Sequence, residues 1–216
     1  MKLFLMRHGQ AENNIRDIVS HSPNYWPLTP HGRTQVERSA DNLARSQIRI
    51  DSVLISPLLR TQETYRIVRN RCYDQLKTAA IRTLESLTEI NMGEWNDHWR
   101  SARSDKLFKT RTYERHLNDF SSFRLPSGES FRELAIRMMQ FLFDDIVKLD
   151  STANVLIISH ADPLLSLQKV IIFMTGQSVT PKFPDNAEII ALHLDTEDIL
   201  HRQQRLNRDL LLGVHK

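Results

Sequence analysis

Four short apolar runs are spaced along the chain and predict buried β-strands. They cover residues 3–6, 52–55, 154–158 and 188–194. Short runs without alternating polar positions are typical of parallel strands that are buried on both faces. The segments between the runs have helical periodicity. The pattern therefore predicts an α/β fold, a three-layer α/β/α sandwich with a largely parallel central sheet.

Helix start signals stand in the segments between these runs. A Thr-Pro pair at 29–30 predicts an N-cap followed by the first helical residue, and a Ser-Pro pair at 56–57 repeats that signal. The Ser and Glu of residues 130–133 have the spacing of a capping box ahead of an amphipathic pattern. A fourth helix is predicted to begin at residues 162–163 and to be apolar on most sides.

Residues 92–126 depart from this pattern, because they are rich in charged and aromatic residues and carry no clear strand signal. We expect them to form an inserted, partly helical lid on a single domain spanning residues 1–216, since no repeat or flexible linker divides the chain. The basic side chains of this segment fit two interpretations equally, a contact with a multiply charged substrate and a solvated helix face. These side chains are Arg100, Arg103, Lys106, Lys109, Arg111 and Arg115.

The amino-acid composition excludes some classes of binding partner. Among 216 residues, 29 Lys and Arg face 26 Asp and Glu, and a net charge of +3 is too small to indicate nucleic-acid binding. Cys72 is the one cysteine, so an internal disulfide is excluded. The apolar stretches are far shorter than the ~20 residues that cross a bilayer. We therefore expect a cytoplasmic protein with neither a nucleic-acid nor a membrane partner.

Cationic and imidazole side chains follow three of the predicted strands. Arg7 and His8 come directly after the first, Arg60 comes shortly after the second, and His160 follows the third. Ligands of α/β sheets bind beyond the carboxyl ends of the strands, so these groups should meet at one edge. Arginines stabilise oxyanions and imidazole is a nucleophile. This combination predicts a phosphoryl-transfer site that needs no metal and no cofactor, because the arginines supply the positive charge.

Six short motifs occur along the chain, and their order is a second indication of function. They are RHGQAENN at 7–14, LTPHG at 28–32 with Gln35, SPLLRTQET at 56–64, LTE at 87–89 with GEW at 93–95, PSGES at 126–130, and SH at 159–160. Together they resemble the phosphatase branch of the histidine phosphatase (phosphoglycerate mutase-like) superfamily. The resemblance implies the same three-layer fold that the hydrophobic pattern predicts.

The resemblance also implies roles for individual residues. His8 would take the phosphoryl group and form a phosphohistidine, and Glu89 would protonate the leaving oxygen and later activate water. The side chains implied to surround the phosphate oxygens are Arg7, Asn14, Arg60 and His160. The catalytic residues that the resemblance implies are His8, Glu89, Arg7, Arg60 and His160. For attack on phosphorus His8 must be neutral, and we expect a backbone carbonyl near Gly9 to hold the proton of its other nitrogen.

Three positions depart from the motifs of the superfamily. Ala11 stands where a hydroxyl residue is common, Ala161 stands where glycine usually follows the second histidine, and the Asn-Asp pair at 96–97 replaces a frequent Glu-Gly. None of these changes removes a catalytic group. We expect them to alter phosphate affinity or substrate choice and to leave the chemistry in place.

Structural alternatives accompany several of these assignments. Arg60 could pair with Glu63 one helical turn away, and His160 could be a structural residue at a helix start. Two further glutamates, Glu85 and Glu94, lie close to Glu89 in the sequence. The other histidines, His21 among them, have no metal-ligand spacing and are predicted to have no special role.

The sequence as a whole predicts a metal-independent phosphoric monoester hydrolase of the histidine acid phosphatase type. Its substrate would be a phosphorylated small molecule or a phosphopeptide. Two alternatives stay open, a phosphoglycerate mutase on the same fold and a non-catalytic protein that binds a phosphorylated ligand. The apolar run at 189–192 fits either an edge strand covered by the chain itself or one paired with a second copy, so the oligomeric state is open.

Overall fold

A computed structural model describes residues 1–99 and 127–211 of the chain. The strands in these residues are β1 (Lys2–Arg7), β2 (Ile18–Val19), β3 (Ser52–Ile55), β4 (Ala80–Thr83), β5 (His98–Trp99), β6 (Asn154–Ser159) and β7 (Ile189–His193). Five of them form one sheet in the order β4-β3-β6-β1-β7, and β2 pairs with β5. All four predicted strands are therefore confirmed, each to within one residue at either end.

The helices of the described residues surround this sheet. They are α1 (Glu12–Ile15), α2 (Pro30–Arg45), α3 (Leu59–Arg71), α4 (Tyr73–Leu76), α5 (Phe131–Phe141), α6 (Ala161–Thr175) and α7 (Thr196–Leu211). Short 3₁₀ turns cover Glu85–Leu87 and Gly93–Trp95, and a π-helical turn over Leu142–Ile146 extends α5. No helix in the described residues is long and apolar enough to span a bilayer.

Two of the predicted helix starts are confirmed by their capping contacts. The Thr29 hydroxyl accepts the backbone N–H of Gly32 at 2.9 Å. Ser130 and Glu133 cap each other reciprocally at the start of α5. The start predicted at residues 56–57 is wrong by two residues, since α3 begins at Leu59. A helix predicted from 162–163 begins one residue earlier, at Ala161.

Parallel pairing aligns the carboxyl ends of the central strands. β1 pairs in parallel with β6, and β6 pairs in parallel with β3. Met6, Ile158 and Ile55 lie in one row across these strands. The residues that follow them consequently emerge at the same edge of the sheet. β7 is antiparallel to β1, so its amino end lies at this edge too.

Two hydrophobic cores lie on opposite faces of the sheet. Leu3 and Leu5 of β1 belong to the core that includes side chains of α5, α6 and α7. Phe4 and Met6 belong to the core that includes side chains of α2 and α3. Successive strand residues point to opposite faces, so a continuous apolar run supplies both cores. The predicted three-layer α/β/α sandwich is confirmed.

Six elements of the described residues were not predicted from the sequence pattern: the short elements β2, β5, α1 and α4, the edge strand β4 and the helix α7. All four residues of β4 are exposed, so this edge strand has no apolar run and is held by backbone pairing with β3. The helix α7, near the end of the chain, carried no recognised start signal. Of the predicted lid at 92–126, residues 100–126 lie outside the described residues. Its first part contains the turn Gly93–Trp95 and the strand β5.

A close backbone approach joins the loop after β1 to the first turn of α2. A Cβ atom at Gly32 would lie 1.9 Å from the carbonyl oxygen of Gln10, and one at Gly9 would lie 2.5 Å from the carbonyl oxygen of Gly32. Neither oxygen can move without shifting backbone. Glycine at both positions therefore lets α2 pack directly against the loop that carries His8.

We predict that Gly32→Ala destabilises the protein by about 2–3 kcal/mol. The new Cβ atom would overlap the backbone of Gln10, and this overlap costs more than the higher helix propensity of alanine gains. Gly176→Ala is the matched control. Gly176 ends α6 with a φ of 71° and has open space around it, so its substitution should cost only about 1 kcal/mol. Urea unfolding measures both effects. Equal losses for the two variants would contradict the close-packing argument.

Candidate active site

Two buried histidines meet where β1 and β6 end. His8 follows β1 and is 1% exposed, and His160 follows β6 and is fully buried. Their ring centroids lie 5.1 Å apart in an edge-to-face arrangement. The backbone N–H of His8 donates to the carbonyl of Ser159 at 3.0 Å, which continues the parallel pairing one residue past the strands.

Contacts on both ring nitrogens define the tautomer of His8. The carbonyl oxygen of Gly9 lies 2.7 Å from Nδ1 and can only accept, so Nδ1 carries the proton. Nε2 in turn accepts from the Nε–H of Arg60 at 3.2 Å. The expected carbonyl partner near Gly9 is therefore confirmed, and the Nε2 lone pair faces the guanidinium.

Arg60 lies in the first turn of α3 and is 1% exposed. One terminal nitrogen, Nη2, donates to the carbonyl of Ser20 at 2.9 Å, while Nη1 is buried without a partner in the described residues. Glu63, the alternative partner considered for Arg60, pairs instead with Arg33 at 2.6 Å. That alternative is wrong. The pKa of Arg60 is lowered to about 10, mainly by burial, so the side chain remains a cation at neutral pH.

The electrostatic environment keeps both histidines neutral. The pKa of His8 is lowered well below its ordinary value, first by burial and then by the charges of Arg60 and Arg7. Burial and Arg60 also lower the pKa of His160, in that order. A second positive charge in this buried space would be repelled by the first. At neutral pH the site therefore combines neutral imidazoles with guanidinium cations.

Arg7 occupies the last position of β1 and is half-buried. Its Nη1 donates to the carbonyl of Pro184 at 3.0 Å, and its guanidinium lies 5.7 Å from the ring centroid of Phe183. The segment before β7 therefore orients this arginine at the edge where His8 emerges.

Asn186 is a site residue that sequence reasoning missed. Its side-chain amide donates to the carbonyl of His8 at 3.2 Å and to Oδ1 of Asn14 at 3.3 Å. Oδ1 of Asn14 also accepts the backbone N–H of Ala11 at 2.9 Å, so this side chain braces the loop after β1. The strand-end signal in the sequence applies to residues that directly follow a strand. Asn186 precedes a strand, and the antiparallel direction of β7 brings it to the same edge.

Glu89 lies after the 3₁₀ turn Glu85–Leu87 and is 8% exposed. Its Oε1 accepts the backbone N–H of Ile90 at 2.9 Å. Nδ1 of His21 donates a hydrogen bond to the backbone carbonyl oxygen of Glu89 at 2.8 Å. The prediction that His21 has no special role missed this contact. By contrast, Glu85 is exposed.

A cavity of about 450 Å³ opens beside Glu89. Its lining includes Thr88 and Asn91 on either side of the glutamate, and also His21. Arg137 lines the cavity as well, and a two-pronged ion pair with Glu129, at 2.8 and 2.7 Å, holds it in place. Within the described residues no three His, Cys, Asp or Glu side chains are grouped as metal ligands.

Comparisons of sequence and of fold relate this chain to known proteins. The model of the histidine phosphatase superfamily (branch 1) matches residues 3–205. A 2,3-bisphosphoglycerate-dependent phosphoglycerate mutase from Rhizobium etli is 29% identical over 182 residues, 81% of this chain and 82% of that protein. The adenosylcobalamin/alpha-ribazole phosphatase of Escherichia coli is 27% identical over 180 residues, 83% of each chain. Among solved structures, Bacillus stearothermophilus YhfR has a TM-score of 0.70 at 22% identity, covering 90% of this chain and 91% of that chain.

The lowered pKa values of His8 and His160 predict that stability decreases as the pH falls below about 6.5. In that range the unfolded histidines bind protons and the folded ones do not, so each contributes a slope of up to about 1.4 kcal/mol per pH unit. Urea unfolding between pH 7 and 5.5 should show this loss. His160→Gln should reduce the slope, whereas an unchanged slope would show that His160 titrates normally in the folded protein.

Proposed function

Because this chain belongs to the histidine phosphatase superfamily, we propose that it hydrolyses a phosphomonoester through a phosphohistidine on His8. The proposal depends on the surroundings of His8. His8 is buried and neutral, its Nδ1 proton is bound by the Gly9 carbonyl, and its Nε2 lone pair stands beside the guanidinium of Arg60. This arrangement combines an imidazole nucleophile with a cation for the phosphate oxygens.

The first step is attack of His8 Nε2 on phosphorus, with cleavage of the bond between phosphorus and the leaving oxygen. Arg60 and Arg7 stabilise the negative charge of the phosphoryl oxygens in this step. The buried Nη1 of Arg60 has no partner in the described residues and supplies a free donor to the phosphate. Attack requires the Nε–H of Arg60 to leave Nε2, and the phosphoryl oxygens are alternative acceptors for this donor.

Glu89 is the proton donor to the leaving oxygen. Its Oε1 is anchored by the N–H of Ile90, so we assign the proton to Oε2. In the second step Glu89 takes a proton from water, the water oxygen attacks phosphorus, and the bond to His8 Nε2 breaks. The products are an alcohol and inorganic phosphate, and the enzyme returns to its starting protonation state.

A small molecule is the substrate class that the site supports best. The cavity beside Glu89, which Thr88 and Asn91 line, has the volume of a pocket for a small ligand. The Escherichia coli relative is an alpha-ribazole phosphatase, which also favours a phosphorylated small molecule over a phosphopeptide.

The second candidate is a phosphoglycerate mutase, favoured by the relative from Rhizobium etli. A mutase shares the attack by His8, the phosphohistidine and the role of the arginines. It differs in the second step, where a hydroxyl of the bound intermediate takes the phosphoryl group in place of water. The two candidates therefore differ in the acceptor and agree on the nucleophile.

We predict that His8→Ala lowers the hydrolysis of an aryl phosphate at least about a thousandfold, because the nucleophile is lost. Native activity should survive a chelator. His31→Ala, which changes an exposed histidine of α2, is the control and should retain activity. Rapid quenching of the native reaction at alkaline pH should trap an acid-labile phosphoryl group on the peptide that contains His8.

Full activity of His8→Ala would contradict the proposed nucleophile. The same preparations, supplied with a phosphoglycerate and a bisphosphate primer, distinguish the two candidate functions. Isomerisation that outpaces release of inorganic phosphate would favour the mutase. Release of phosphate from a panel of phosphorylated metabolites, ranked by kcat/KM, would begin to identify the substrate.

We also predict that Glu89→Gln lowers turnover of an alkyl phosphate by about a hundredfold or more and that of a nitrophenyl phosphate by less. An alkoxide needs a proton to leave, whereas a nitrophenolate leaves without one. Steady-state kinetics on both substrates measure the difference. Glu85→Gln changes an exposed glutamate four residues earlier and serves as the control. An equal loss on both substrates would argue against Glu89 as the general acid.

A further inference from the structure

One hydrogen bond in the candidate active site has no part in the steps described above. Ser56 follows β3, His160 follows β6, and both residues are fully buried. Ser56 Oγ lies 2.8 Å from Nε2 of His160. Because Ile55 and Ile158 are partners in the parallel pairing of these strands, the two side chains emerge next to each other. The contact is therefore set by the sheet.

The hydrogen-bonding capacity of the hydroxyl decides the direction of this bond. A serine hydroxyl has one proton and two lone pairs. In the described part of the chain, Oγ of Ser56 has two partners, Nε2 of His160 and the backbone N–H of Leu58 at 3.4 Å. The N–H of Leu58 can only donate. If Nε2 also donated, the buried hydroxyl proton would have no acceptor, so Ser56 donates and Nε2 accepts.

The proton of the neutral His160 ring consequently resides on Nδ1. That nitrogen is buried and has no hydrogen-bond partner among residues 1–99 and 127–211. Buried donors are nearly always paired, and an unpaired one beside an active site indicates a ligand that accepts from it. The ring of His160 also contacts the ring of His8, the proposed site of phosphoryl attachment.

We propose that Ser56 is a positioning residue that holds neutral His160 in its Nδ1–H form, so that the ring donates this hydrogen bond to a phosphoryl oxygen of the substrate. The inference rests on the proposed function, which supplies the phosphoryl acceptor. Ser56 touches no reacting atom in this scheme. It acts through the imidazole, because a ring with its proton on Nε2 would present a lone pair to a negatively charged oxygen and repel it.

Nitrogen-15 NMR of the histidine side chains at neutral pH tests the tautomer directly. In the native protein His160 should show a protonated Nδ1 and an unprotonated Nε2. In Ser56→Ala the form protonated on Nε2 should become populated. Addition of inorganic phosphate to the native protein should shift the Nδ1 resonance. A native ring protonated on Nε2, or a Nδ1 resonance that phosphate leaves unchanged, would overturn the proposal.

Kinetics supply the second measurement. Ser56→Ala should lower kcat for an aryl phosphate about tenfold and weaken inhibition by inorganic phosphate by a similar factor, the effect of one misdirected buried hydrogen bond. Ser52→Ala, which removes a buried hydroxyl from the other end of β3, should change neither. Ser56→Thr keeps the donor and should restore most of the activity. Equal losses for Ser52→Ala and Ser56→Ala would overturn the positioning role.

The outcomes separate this inference from the proposed function. Turnover that depends on His8, together with a His160 ring protonated on Nε2, would overturn the role of Ser56 and leave the phosphatase proposal in place. Activity that survives His8→Ala would overturn the phosphatase proposal, and the response of Nδ1 to inorganic phosphate would still decide the role of Ser56. If Ser56→Ala does not fold, the native spectra and Ser56→Thr decide it.

Discussion

Parallel pairing of β1, β6 and β3 is the constraint from which the site follows. These strands run in the same direction and in register, so His8, His160 and Ser56 emerge at one edge of the sheet although they are far apart along the chain. Backbone hydrogen bonds continue past the strand ends, where His8 and Ser56 donate to the carbonyls of Ser159 and Ile158. The positions of these side chains are therefore set by a rigid sheet rather than by flexible loops.

The buried cation of Arg60 explains the electrostatic character of the site. A guanidinium that is 1% exposed is costly unless its donors find acceptors, and here Ser20 and His8 provide two of them. Burial first, and then this charge, lowers the pKa of both neighbouring imidazoles and keeps them neutral. In the proposed function the same cation therefore prepares His8 as a nucleophile and offers a free donor to an anion. A phosphoryl group satisfies both requirements, since it is negatively charged and accepts several hydrogen bonds.

Sequence reasoning succeeded where a local pattern is enough and failed where a contact depends on distant segments. The capping contacts of Thr29 and Ser130 involve neighbours three residues away, so their residue types sufficed. Ser56 looked like a helix cap, yet its hydroxyl contacts His160 and α3 begins at Leu59. β4 could not be predicted, because an exposed edge strand needs only backbone pairing with its neighbour.

The sequence by itself determined the layered α/β fold, through apolar runs that supply two cores, and it determined which residues could carry phosphoryl chemistry. The ordered motifs identified the superfamily as well. Only the tertiary structure decided that Arg60 contacts His8 rather than Glu63, that Asn186 and His21 brace the site, and that Ser56 contacts His160. Hydrogen-bond partners and burial depend on atoms brought together from distant segments, and no pattern of neighbouring residues encodes those distances.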